Sequence, residues 1–232
     1  MRRIIALTLA DMRFQARYGF YALYLFVSVL YIVILNFFPA AWKEAGRTLT
    51  VFSDPAALGL FFIGAILLFE KGENVLPSIA VSPARTGEYV AAKMLSIAVI
   101  SVLSGIVIML GSGGSLHPAF VSGVFLGSCL FTLIGICFGA RTKTINQFLI
   151  ITVPAEIVVF LPAIAYFLGF RPPAMLLHPG VLVMCLLDGN PANHTKPLVS
   201  ILLLALWIAI AFFAARAAST RMFRNKGKEV NP

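Results

Sequence analysis

Long apolar runs, each closed by a short polar or basic break, dominate the chain. A helix rises 1.5 Å per residue, so about 20 apolar residues cross a hydrocarbon core about 30 Å thick. By that measure the pattern predicts six spans, at 18–38, 54–70, 89–110, 118–140, 145–168 and 198–216. Pro39 closes the first. Asp54 and Pro55 suit the cap and first turn of the second. Glycines in the GSGG run at 111–114 supply the tight turn after the third, and Arg141 and Lys143 end the fourth. The mixed stretch 39–53 reads as an external loop or short helix, with Trp42 at the outer interface.

Four segments do not fit a simple span. Residues 2–17 place Ile4, Ile5, Leu7, Met12 and Phe14 among Arg2, Arg3, Arg13 and Arg17. That is the pattern of an interfacial helix whose basic face meets headgroups. Asp11, Arg13 and Arg17 interrupt it as a signal sequence, so a retained segment is expected. Residues 74–88 are too polar to span and too apolar to be disordered. The apolar core 174–187 is 14 residues long and carries Pro179-Gly180. Its length and breaks suit a re-entrant hairpin within 172–195. Pro154 and Pro162 predict bends or a break in the fifth span. Beyond 216 the chain reads as a basic tail, disordered at its end. No internal repeat or separate soluble domain is evident, and residues 1–232 read as one all-α membrane domain.

Charge sets the orientation. Of 18 Lys and Arg, those at 43, 47, 171 and 196 fall on one side of the six spans, and all the others fall on the opposite side. Basic residues favour the cytoplasm, which gives both termini inside and an even number of crossings. A content of 60% hydrophobic and 12% charged residues leaves too little polar surface for a soluble domain, where about 25% charged is usual. The net charge of +9 flanks the spans and does not form a nucleic-acid surface. Zinc-finger spacing is absent.

Candidate chemistry is sparse. Cys129, Cys137 and Cys185 form no CxxC pair and read as small buried hydrophobes. His117, His178 and His194 are not spaced as ligands. GSGGS at 111–115 has no following GK[ST], so it makes no phosphate cradle. Catalytic and metal sites are therefore not expected. Glu156, about eleven residues into the fifth span, is a carboxylate near mid-depth. It reads either as a pathway or subunit-contact residue or as a group brought nearer the surface by a broken helix. Glu70, Lys71 and Glu73 form a charged boundary where the second span leaves the membrane. Gly123, Gly127 and Gly135 share one face of the fourth span and permit close helix contact.

The stretch from Asn74 to Glu88 joins the second and third spans without slack. Leu76, Ile79 and Val81 can hold a short helix against a partner groove, with Pro77 in its first turn and Ser82-Pro83 ending it. Arg85 and Glu88 are available at its rim. A docking surface for a soluble partner is one reading, and an ordinary internal loop is the other.

Three blocks carry a resemblance. They are LADMRFQARYGFYALY at 9–24, DPAALGLFFIGAILLFEKGENVLPSIAVSPARTGEYVAAK at 54–93, and the Glu156-bearing span with its external hairpin. Together they resemble the membrane-spanning subunits of ABC-2 type exporters, particularly small permeases described as drug or fluoroquinolone exporters. The resemblance implies a type V exporter-like fold. The N-terminal helix would be an elbow helix, 74–88 the coupling helix for an ATPase, and 172–195 an external re-entrant hairpin. It also implies a second permease subunit, identical or related, and two separately encoded ATPase subunits holding ATP and Mg2+. A secondary transporter or channel using Glu156, and a membrane-embedded enzyme or scaffold, are the competing classes. The spans lack the paired broken helices of many secondary transporters and the polar cluster of an enzyme.

Overall fold

The computed structural model describes residues 2–56, 58–73, 85–188 and 196–230. Within them the regular structure is helical: α1 Arg2–Arg17, α2 Phe20–Phe37, α3 Ala40–Val51, α4 Leu58–Gly72, α5 Thr86–Gly111, α6 Pro118–Gly139, α7 Ile145–Phe167, α8 Pro179–Asp188 and α9 Pro197–Val230. A π turn, Phe52–Ala56, joins α3 to α4, and a 3-10 turn, Pro173–Leu177, precedes α8. Among the described residues, six helical stretches are long and apolar enough to cross a membrane: α2, α3 with α4, α5, α6, α7 and α9. The chain is a multi-pass membrane protein. The sharp turn from α1 into α2 rests on Gly19 at φ 77°, a left-handed conformation that glycine adopts without steric cost.

α6 is the central post. Phe120, Leu130, Phe131, Leu133 and Ile136 are fully buried along it, and α4, α5, α8 and α9 surround it. Small residues let the neighbours approach. A side chain added at Gly135 would meet the Leu60 carbonyl at 2.5 Å, and one at Gly123 would meet Leu186 Cβ at 2.8 Å. Gly127 is buried between them. The glycine face is thus shared by two partners, α4 toward one end and α8 toward the other. α2, α7 and α9 lie at the periphery and leave broad apolar faces uncovered by the other described residues.

Three expectations change. The 39–53 stretch takes the helical of its two readings. It is α3, with Thr48, Val51 and Phe52 buried, running on into the second span. Asp54 consequently caps nothing. It sits inside the π turn, 4% exposed, and its Oδ2 meets no hydrogen-bond partner among the described residues. Pro55 has no N–H for the regular ladder, and a widened turn accommodates that loss.

The fifth span is unbroken despite Pro154 and Pro162. Pro162 leaves the carbonyl of Val158 without its donor four residues on, and the polar ring of His178, just before α8, lines the same groove as Val158. Satisfying a freed carbonyl from a neighbouring element is how membrane helices tolerate proline. Finally, the segment after 216 is not a loose tail. α9 continues to Val230, with Ala218, Ser219 and Met222 buried and Phe223 edge-on to Tyr89 at 5.3 Å.

The hairpin region keeps only its first half in view. Residues 180–187 are buried throughout α8, wedged against α6, α7 and α9. At ten residues, α8 is about 15 Å long, too short to cross. Residues 189–195 lie outside the described residues.

Candidate functional site: a buried ion cluster where three helices meet

Polar side chains recur along two helices that face each other. On α5, Tyr89, Lys93 and Ser96 fall at i, i+4 and i+7, one stripe of a 3.6-residue helix. On α1, Asp11 and Gln15 fall at i and i+4. The two stripes interlock. Lys93 Nζ pairs with Asp11 Oδ1 and, on its other side, with Glu70 Oε1 from the end of α4. Ser96 Oγ donates to Asp11 Oδ2. Gln15 Nε2 donates to Asp11 at 3.2 Å and to Ser96 Oγ at 3.0 Å. Tyr89 OH donates to Glu70 Oε2 at 2.7 Å, and its ring lies 5.3 Å from the lysine nitrogen.

Asp11, Gln15, Glu70, Tyr89, Lys93 and Ser96 are all at least 92% buried. One cation between two carboxylates leaves a net charge of −1, spread over the hydroxyl and amide donors. Buried charges need this level of pairing, because an uncompensated ion in an apolar interior is very costly. The two hydroxyls of the arrangement, those of Ser96 and Tyr89, are buried and each donates to a carboxylate. What it does is lock α1, α4 and α5 together at one end of the bundle.

A second clamp lies beside it. Lys71, next to Glu70, turns to the C-terminus of α6 and donates to the carbonyls of Gly139 at 2.7 Å and Thr142 at 2.6 Å. These are orphan acceptors at the negative end of a helix dipole, where a cation is favoured.

The boundary cluster expected at Glu70, Lys71 and Glu73 therefore divides. Glu70 enters the ion cluster, Lys71 caps α6, and Glu73 remains exposed. Arg85 is also exposed. Glu88 is half-buried, and its Oε2 accepts from Arg85 N–H at 2.8 Å, closing the first turn of α5. Asn74, Leu76, Pro77, Ile79, Val81, Ser82 and Pro83 lie outside the described residues. The structure joins the two ends of that segment through Glu70 and Tyr89.

Glu156 is placed differently. It is half-buried on α7, with no partner among the described residues, between the largely uncovered Val153 and Ile157. An apolar groove of about 580 Å³ opens nearby between α6, α7, α8 and α9, lined by Ile134, Val158, Leu177, His178, Trp207 and Ile210. Trp207 Nε1 donates to the Leu177 carbonyl at 3.0 Å across it. Cys129, Cys137 and Cys185 are free thiols.

Sequence reasoning missed Asp11 and Lys93 as partners. Lys93 reads as one more flanking cation, and Asp11 as a break in an apolar stripe. Their signal was the matched polar spacing on α1 and α5.

The model of the fluoroquinolones export permease protein family matches residues 2–226. Two curated proteins described as fluoroquinolones export permease proteins, from two strains of Mycobacterium tuberculosis, are each 26% identical over 183 residues. The match covers 77% of this chain and 77% of each relative.

Proposed function

The chain belongs to the fluoroquinolones export permease family, and from that premise we propose that it is the membrane-spanning subunit of an ATP-driven exporter. The observation that carries this reading is the family match over residues 2–226, on a chain with six membrane-crossing stretches. Its cargo is a hydrophobic or amphipathic small molecule of the drug class that the relatives' names print. The chain has no P-loop, so ATP and Mg2+ belong to two separately encoded ATPase subunits, and a second permease subunit completes the pathway. Both termini face the cytoplasm of a bacterial inner membrane, as the basic-residue count favours. In that frame α1 is the elbow helix, and Pro173–Asp188 opens the external re-entrant hairpin.

The mechanism is mechanical. An ATPase that closes on the 74–88 segment pushes on the ends of α4 and α5. Glu70 and Tyr89 bracket that segment, and Lys93 extends the connection to α1. The push therefore moves three helices as a unit. Transport follows if the cargo binds one access state better than the other. The uncovered faces of α2, α7 and α9 are available for the second subunit and the lipid, with Glu156 at that boundary. The apolar groove beside Trp207 offers surface for a cargo arriving from the bilayer.

Affinity purification in mild detergent tests the assembly, because an ATPase should co-purify at fixed stoichiometry. Ile79→Asp tests the docking segment. A desolvated, unpaired carboxylate costs several kcal/mol (order of magnitude). The variant should insert normally but lose the ATPase and ATP-dependent efflux. Wild-type co-purification and efflux would remove this segment from the coupling role.

A further inference from the structure

Beside the Lys71 clamp, a cavity of about 680 Å³ opens between the end of α4, the α6–α7 turn and the extension of α9. Its walls divide by chemistry. Leu68, Ala218 and Met222 are apolar, while Arg141, Lys143 and Arg221 are cationic. Among the described residues no acidic side chain lines it. The three cations are exposed and have no hydrogen-bond or ion-pair partner among the described residues. Glu73, the nearest carboxylate along the chain, is exposed and outside the wall.

The α6 C-terminus would normally set a negative potential here, since its last carbonyls point this way. Lys71 already satisfies those of Gly139 and Thr142. The field that remains is that of Arg141, Lys143 and Arg221, over an apolar floor continuous with the spans.

We propose that this cavity binds the headgroup of an anionic phospholipid, its phosphate between Arg141, Lys143 and Arg221 and its acyl chains leaving along Leu68 and Met222. Charge complementarity selects an anion. Depth selects a lipid: the cavity lies where α4 and α6 leave their apolar stretches, at the level of headgroups, and basic pockets between membrane helices suit that ligand. A guanidinium on each side of a phosphate also gives bidentate contacts that a zwitterionic headgroup, carrying its own cation, weakens. The inference does not depend on the cargo or the ATPase.

The test is lipid retention by the purified, delipidated full chain, titrated with phosphatidylglycerol or phosphatidylcholine and read by native mass spectrometry. The wild type should hold phosphatidylglycerol roughly tenfold or more tightly than phosphatidylcholine. The triple variant R141Q/K143Q/R221Q should lose that preference. The control R2Q/R13Q/R17Q removes as much charge from the same end of the bundle and should keep it. Should the triple variant fail to fold, each single variant should lower the preference by itself.

Equal preference in wild type and the cavity variants would overturn the proposal. So would equal loss in the control, which would mean general charge attraction. Displacement of the lipid by inorganic phosphate alone would make this a free-anion site. Unchanged lipid retention with loss of a co-purifying ATPase would assign the cations to that partner instead.

Discussion

Glu70 and Glu156 are both carboxylates on apolar helices, yet the fold treats them oppositely. Glu70 reads as a boundary charge and is 5% exposed, held by Lys93 and Tyr89. Glu156 reads as the deep one and sits half-buried on an outlying helix, with no partner among the described residues. Depth along a span therefore says what an ion would cost, while the neighbouring helices decide whether that cost is met. The paired group is structural. The unpaired one is left for something outside the chain.

Breaking the paired side should have the largest effect. Lys93→Met leaves Asp11 and Glu70 buried against each other without a cation. Removing one partner of a buried ionic set costs about 3–5 kcal/mol, so folded yield and thermal unfolding temperature in detergent should fall sharply. Neutralising all three, with Asp11→Asn and Glu70→Gln added, should recover most of the loss. If Lys93→Met alone unfolds like wild type, the cluster does not hold the three helices together.

Packing sharpens the same contrast. Gly135 on α6 has the Leu60 carbonyl and the Ile63 side chain against it, at 2.5 and 2.4 Å from an added Cβ. Gly135→Val should cost about 1–3 kcal/mol by overpacking, measured as thermal stability. On α7, Val153→Leu falls on an uncovered face and should change it little. Comparable losses at both positions would mean that α7 is as tightly held as α6.

A milder paired group is His117, the N-cap of α6, whose Nδ1 accepts from Phe120 N–H at 3.0 Å. Burial pushes its pKa below the ordinary 6.5, with the Asp188 charge acting the other way. The sign follows from the neutral form being favoured in the folded state. Its contribution is complete above about 6.5 and is lost as pH falls through the lower folded value. His117→Ala should cost about 1 kcal/mol at pH 8 and less at pH 5. His117→Asn, which caps without titrating, should flatten that part of the pH dependence of unfolding.

The smallest stability effect belongs to Glu156→Gln, expected within about 0.5 kcal/mol of wild type. Its readout is elsewhere, in the dimer population by crosslinking and in efflux. Unchanged association and efflux would make Glu156 a tolerated charge on the lipid-facing side.

The sequence by itself determined the membrane class and the six apolar stretches long enough to cross. These follow from runs of apolar residues and their stops, which are local and must be long enough to match a bilayer. It also located the glycine face of α6. Tertiary structure alone decided the partners. Asp11, Glu70 and Lys93 are separated by 59 and 23 positions, and no spacing rule connects them until α1, α4 and α5 assemble. The same holds for α9 beyond 216. Its composition is that of a basic tail, yet Ala218 and Met222 find an apolar surface in the folded bundle and the helix continues. Arg221 thereby reaches Arg141 and Lys143. Local pattern fixes where a helix can lie, but a buried charge is stabilised only by groups that the fold brings to it.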